Sequence, residues 1–150
     1  MTLSVLERIA INQETTLGNV ITEGKLVLSI RRARAKNEPA HLAGFIYQLP
    51  PADVADAAVS TDEFKQAFAL VVYVIPAEDD ETPVDTYNND IAAAAVEALM
   101  SDYTRGGLAL NTIIQPPLYF PSVAGDYAGI TLLWEVHYRT KLDKPYLPAT

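Results

Sequence analysis

Residues 64–75 (Phe-Lys-Gln-Ala-Phe-Ala-Leu-Val-Val-Tyr-Val-Ile) form one uninterrupted stretch of strand-forming residues with no proline or glycine. Side chains alternate with a period of two along a strand, so Phe64, Gln66, Phe68, Leu70, Val72 and Val74 share one face. Lys65, Ala67, Ala69, Val71, Tyr73 and Ile75 share the other. The second half is apolar on both faces, which predicts a central strand covered on both sides. Any fold for this chain has to be built around it.

The flanking segments supply partners for that strand. Leu6, Ile9, Ala10, Gln13 and Leu17 fall at helical spacing and predict a short N-terminal helix. Residues 18–36 allow two readings: a hairpin across Glu23-Gly24, or a short strand followed by a helix towards Ala35 with Leu26, Ile30 and Ala33 on one face. The second is preferred here, because its basic end suits a helix C-terminus. Residues 43–49 read as a strand stopped by Pro50-Pro51, and residues 52–61 as a loop of small and acidic residues. Asp85 or Thr86 can cap a helix with the stripe Ala92, Val96, Leu99 and Tyr103, ended by Gly106-Gly107.

Residues 112–120 read as an edge or kinked strand because Pro116-Pro117 interrupts them, and Gly125-Asp126-Tyr127 reads as a turn. Ile130, Leu132, Trp134, Val136 and Tyr138 then face a core, and Trp134 is expected beneath the helix that carries Ala92, Val96 and Leu99. The fold class expected is α+β: a single domain over residues 1–150 with a mainly antiparallel mixed sheet, two or three helices packed on it, and an extended tail at 142–150.

Charge narrows the possible partners. A net charge of −8 argues against general nucleic-acid binding, which needs a dominant basic surface. A passage that DNA slides through is different, because there repulsion is useful. The absence of cysteine removes disulfides, thiolate metal sites and thiol nucleophiles, and fits assembly in a reducing cytoplasm. No stretch approaches the roughly 18 apolar residues of a membrane span, and the N-terminal residues lack a basic leader, so neither a membrane anchor nor a signal peptide is expected.

Catalytic patterns are scarce. His41 and His137 are the only histidines, and neither has metal-ligand spacing or a neighbouring nucleophile. The acidic run Glu78, Asp79, Asp80 and Glu81 lacks the alternating ligands and turn glycine of a calcium loop. Gly106-Gly107 is no phosphate loop, because no lysine follows it. We therefore expect no enzyme activity, no catalytic residue, no metal and no cofactor. The basic cluster Arg31, Arg32, Arg34 and Lys36 is the candidate subunit interface, and the acidic run is the candidate channel lining or interface, with Asp53, Asp56 and Asp62 in reserve.

The order of these segments resembles the tail terminator, or tail completion, proteins of tailed bacteriophages. The residues that carry the likeness are the strand and proline loop Gly44-Phe45-Ile46-Tyr47-Gln48-Leu49-Pro50, the long strand at 64–75, and the acidic loop followed by Asn89-Asp90-Ile91-Ala92-Ala93-Ala94-Ala95-Val96-Glu97-Ala98-Leu99. The closing strand Leu133-Trp134-Glu135-Val136-His137-Tyr138-Arg139-Thr140 completes it. The likeness runs from Ala40 to Lys141 and rests on pattern and order.

What the resemblance implies is a virion structural protein, assembled in the host cytoplasm, that forms a homo-oligomeric ring, usually hexameric, at the head-proximal end of the tail tube. Such a ring stops tube polymerisation and serves in head-tail joining. Its partners would be the tail tube protein and a head-tail connector protein, with DNA only passing through. Two other readings stand beside it: another head-to-tail connector or tail-tube-associated protein, and a small α+β ligand-binding module.

Overall fold

The computed structural model describes residues 2–50, 63–120, 127–141 and 143–149. The expected loop at 52–61, the reserve acids Asp53, Asp56 and Asp62, and the Gly125-Asp126 turn lie outside the described residues.

Helix α1 (Val5–Gly18) begins where its sequence asks it to. The Ser4 hydroxyl accepts the Glu7 backbone N–H at 3.1 Å, which satisfies one of the unpaired donors of the first turn. Val5, Ile9, Ala10, Gln13 and Leu17 make its buried stripe. The strands that follow are β1 (Ser29–Arg32), β2 (Ala43–Gln48) and β3 (Glu63–Val74). Helix α2 (Val84–Ser101) leads to β4 (Asn111–Ile114), β5 (Leu118–Phe120), β6 (Ala128–Lys141) and β7 (Lys144–Pro148).

The fold is α+β, with two helices on one sheet of seven strands. The main order is β1-β2-β3-β6-β4, with β5 and β7 also paired to β6. Only β1 and β2 run parallel; every other pair is antiparallel. The long strand β3 is central, with β6 paired along its whole length on one side and β2 paired to Phe68–Val72 on the other. Pro116-Pro117 falls between β4 and β5, which divide the far edge of β6 between them. The terminal segment is extended and also paired, since β7 folds back along β6.

The core lies between the helices and one face of the sheet. Phe68, Leu70, Val72 and Val74 of β3 meet Ile130, Leu132, Trp134 and Val136 of β6 there, with Ile9 and Leu17 of α1 and Ile91 and Leu99 of α2. Gly44 of β2 lies on this face in a tight setting: a Cβ would come within 3.0 Å of Ile30, 3.1 Å of Val72 and 3.2 Å of Leu70, so these side chains would have to give by a few tenths of an ångström. Trp134 stacks on Phe68 at 5.9 Å. It shares the core with Ala92 and Leu99 as expected, while its ring N–H goes to α1, donating to Gln13 Oε1 at 2.7 Å.

Three expectations need correction. Residues 18–36 contain no second helix: Thr22 and Leu26 close a small loop, Ile21 bridges Val27, and β1 follows. Leu28 and Ile30 are buried while Val27, Ser29 and Arg31 are exposed, so the period is two, and pairing with β2 decided the matter. Helix α2 starts at Val84 behind Pro83 with no side-chain cap, rather than at Asp85 or Thr86. It also stops at Ser101, before Gly106-Gly107, and buries Asn88, Ile91, Ala92, Ala95 and Leu99, so Tyr103 is left exposed. Both helices lie on one face of the sheet, and on the other face of β3 Ala69 is buried and Val71 and Tyr73 are half-buried, in keeping with the expected cover on both sides.

Candidate interaction surfaces

The basic cluster is not one patch, because strand geometry sends neighbouring side chains to opposite faces. Arg32 turns to α1, where its guanidinium makes a two-pronged bond to the Glu7 carboxylate at 2.6 and 3.1 Å. Its backbone N–H donates to Glu14 Oε2 at 2.6 Å. Glu7 and Glu14 are two helical turns apart and share a face of α1, so one residue of β1 fastens the helix at two heights. The cluster therefore gives one of its arginines to intramolecular structure.

Hydrogen bonding by Arg32 holds the Glu7 carboxyl below the usual carboxylate range, against the opposing effect of burial. A depressed acid stabilises the fold above its unfolded value and loses that contribution as pH falls through its folded one. Arg32→Gln should thus cost about 0 to 1 kcal/mol near neutrality, since the pair is partly solvated. The difference from the parent should shrink as the medium is acidified past the carboxylate range. Chemical denaturation at several pH values measures it, and a gap that widens in acid would assign the stabilisation elsewhere.

Arg31 faces the opposite way, its guanidinium 5.4 Å from the centre of the Phe45 ring. Arg34 is exposed in the turn after β1. Asn37 clamps that turn, accepting the Arg34 backbone N–H at 2.8 Å and donating to its carbonyl at 2.7 Å. Lys36 pairs with Glu38 at 3.6 Å, both well exposed, a contact that contributes little.

The acidic run is also divided. Glu78, Asp79 and Glu81 are exposed. Asp80 is half-buried and structural: it accepts the Tyr87 hydroxyl and, at 2.9 Å, the Thr82 backbone N–H. The Tyr87 bond is the main reason its carboxyl is held below the usual range. His41 belongs to the same corner, with Nδ1 accepting the Ile75 N–H at 3.0 Å and its ring edge-on to Tyr87 at 5.5 Å. His137 sits 2.6 Å from the Glu135 carboxylate on the sheet's outer face. Among the described residues no three His, Asp or Glu side chains are placed to hold a metal ion.

A further surface emerges on the side of the sheet away from the helices. The register places Phe45, Tyr47, Ala69, Val71, Tyr73 and Leu133 on that side. Tyr73 stands edge-on to Phe45 at 6.2 Å and to Tyr127 at 5.8 Å. Burial, with Tyr47 and Tyr127 nearby, pushes the Tyr73 phenol up. Ile113, Leu118 and Tyr127 are 45%, 57% and 48% exposed at its margin. Towards the other end of the strands the same face becomes charged, with Lys65, Glu135, His137 and an Arg139–Glu63 pair at 3.2 Å. The apolar parity of Ala67, Ala69, Val71 and Tyr73 is the sequence signal for this face. Comparison of the chain with protein-family models and with curated proteins gave no match.

Proposed function

We propose that this chain is a structural subunit of a tailed bacteriophage, a tail terminator that forms a ring on the head-proximal end of the tail tube, halts its growth and offers the surface to which the head connector docks. The observation that carries the reading is the margin of the outer sheet face, where Ile113, Leu118 and Tyr127 are 45%, 57% and 48% exposed beside the half-buried Tyr47, Val71 and Leu133. Tyrosine with Arg31 beside it is the composition of protein-binding surfaces, and contiguous exposed apolar area commonly marks them. In this reading the other copies of the ring and the tail tube protein are the partners. Glu78, Asp79 and Glu81 line or border the passage and repel DNA on its way through. No cofactor and no catalytic group takes part.

The purified chain should run as a ring of several copies by size-exclusion chromatography with light scattering, and should arrest elongation when added to growing tail tubes. A ring that leaves tube growth unaffected would favour the neighbouring connector role. A monomer at every concentration that binds a small molecule would favour a ligand-binding module instead.

A further inference from the structure

Between the C-terminal end of α1 and the outer side of α2 runs an open groove of about 500 Å³. On the α2 side it is lined by the small side chains Ala93, Ala94 and Ala98, so an incoming chain can approach the helix closely. Its polar rim is acidic, with Glu23, Asp90 and Glu97, and no basic residue lines it. Asp90 has a structural duty, accepting the Gly24 backbone N–H at 3.2 Å. Glu23 and Glu97 are exposed and enter no ion pair among the described residues.

The complementary feature lies on the same chain, in the turn that follows β1. Arg34 is exposed, has no carboxylate partner among the described residues, and is presented by a backbone that Asn37 holds from both sides. A fixed turn loses little freedom when it docks, which favours binding. No ion pair joins this turn to the groove of its own molecule. Two complementary patches at different places on one surface make a head-to-tail contact, which closes into a ring when the rotation between copies closes.

We propose that the groove between α1 and α2 receives the Arg34 turn of a second copy of this chain, with Glu97 and Glu23 facing the guanidinium. The proposal rests on the ring reading and names its lateral contact. The outer sheet face is thereby left for partners along the tail axis.

The test is a charge exchange. Arg34→Glu alone and Glu97→Lys alone should each weaken self-association about tenfold or more, because a like-charge contact replaces an opposite one. Both positions are exposed, so each variant should keep the parent's circular dichroism. An equimolar mixture of the two single variants should assemble again, since Glu at position 34 then meets Lys at position 97 while every remaining contact pairs wild-type groups. The double variant should assemble by itself. Single variants that associate like the parent would overturn the proposal and leave the ring reading intact. Single variants that fail and are not rescued by mixing would show that groove and turn do not face one another. A parent that stays monomeric would sink the ring reading, and this contact with it.

Discussion

Trp134→Ala should remove about 3 to 5 kcal/mol of folding stability, the range for truncating a large buried aromatic. The indole is 1% exposed, stacks on Phe68 and donates to Gln13 of α1, so its loss opens a void and leaves a buried amide oxygen without its donor. The Gln13 amide nitrogen already lacks a partner among the described residues, so there the side chain would have nothing left to bond. For a domain whose total stability is commonly about 5 to 15 kcal/mol, that is enough to populate the unfolded state. Trp134→Phe keeps an aromatic ring against Phe68 but loses the hydrogen bond to Gln13 and part of the buried volume. It should fall between the parent and the alanine variant in chemical denaturation. If Trp134→Ala lay within about half a kcal/mol of the parent, the core would have to be organised around other contacts.

Arg105→Ala should be the next most damaging change, at about 2 to 3 kcal/mol, the scale of buried hydrogen bonds made by a charged group. Arg105 is fully buried, and its guanidinium donates to the carbonyls of Leu99 and Asp102, where α2 has run out of backbone donors. Burial lowers its pKa and the nearby Asp102 opposes that shift. The residue also sits at φ +50°, followed by Gly106 at +71° and Gly107 at +82°, so the chain leaves the helix through a left-handed passage tied to the guanidinium. Asp102 secures the same passage by accepting the Gly106 N–H at 2.6 Å. Hydrogen exchange should show the last turn of α2 opening in the variant before the rest of the core does. Arg105→Met, which keeps the bulk of the side chain without the desolvated charge, should cost less than alanine. Unchanged exchange in that turn would mean the carbonyls are satisfied by other donors.

The regular parts of this fold were legible because their signals are local. Strand β6 alternates cleanly from Ile130 to Tyr138, and Ile9, Gln13 and Leu17 set the α1 stripe, so both could be read with no knowledge of their neighbours. Residues 18–36 were misread because Leu26, Ile30 and Ala33 fit a helical spacing while Leu28 and Ile30 fit a strand. The choice was made by β2 and by two glutamates on α1, far away in sequence. Arg32 looked like part of a basic surface for the same reason: nothing near it in the chain announces Glu7. Arg105 was hidden among helix-stop residues, since burial of a lone arginine has no periodic signature. The aromatic outer face was visible as an apolar parity in β3, where Ala69 and the β2 residue Phe45 beside it are buried.

The bond from the Arg32 amide to Glu14 has one more consequence. An outer strand normally offers unspent backbone donors and acceptors, an invitation to any stray strand, and edges left open in this way are where sheet proteins run into fibrous aggregates. Here a carboxylate from the protein's own helix occupies the Arg32 N–H on one border, and Pro116-Pro117 breaks the opposite border into short pieces. One donor on the first border is thus withdrawn from any stray strand and the second border offers only short runs, which lowers the tendency of the sheet to grow edge to edge.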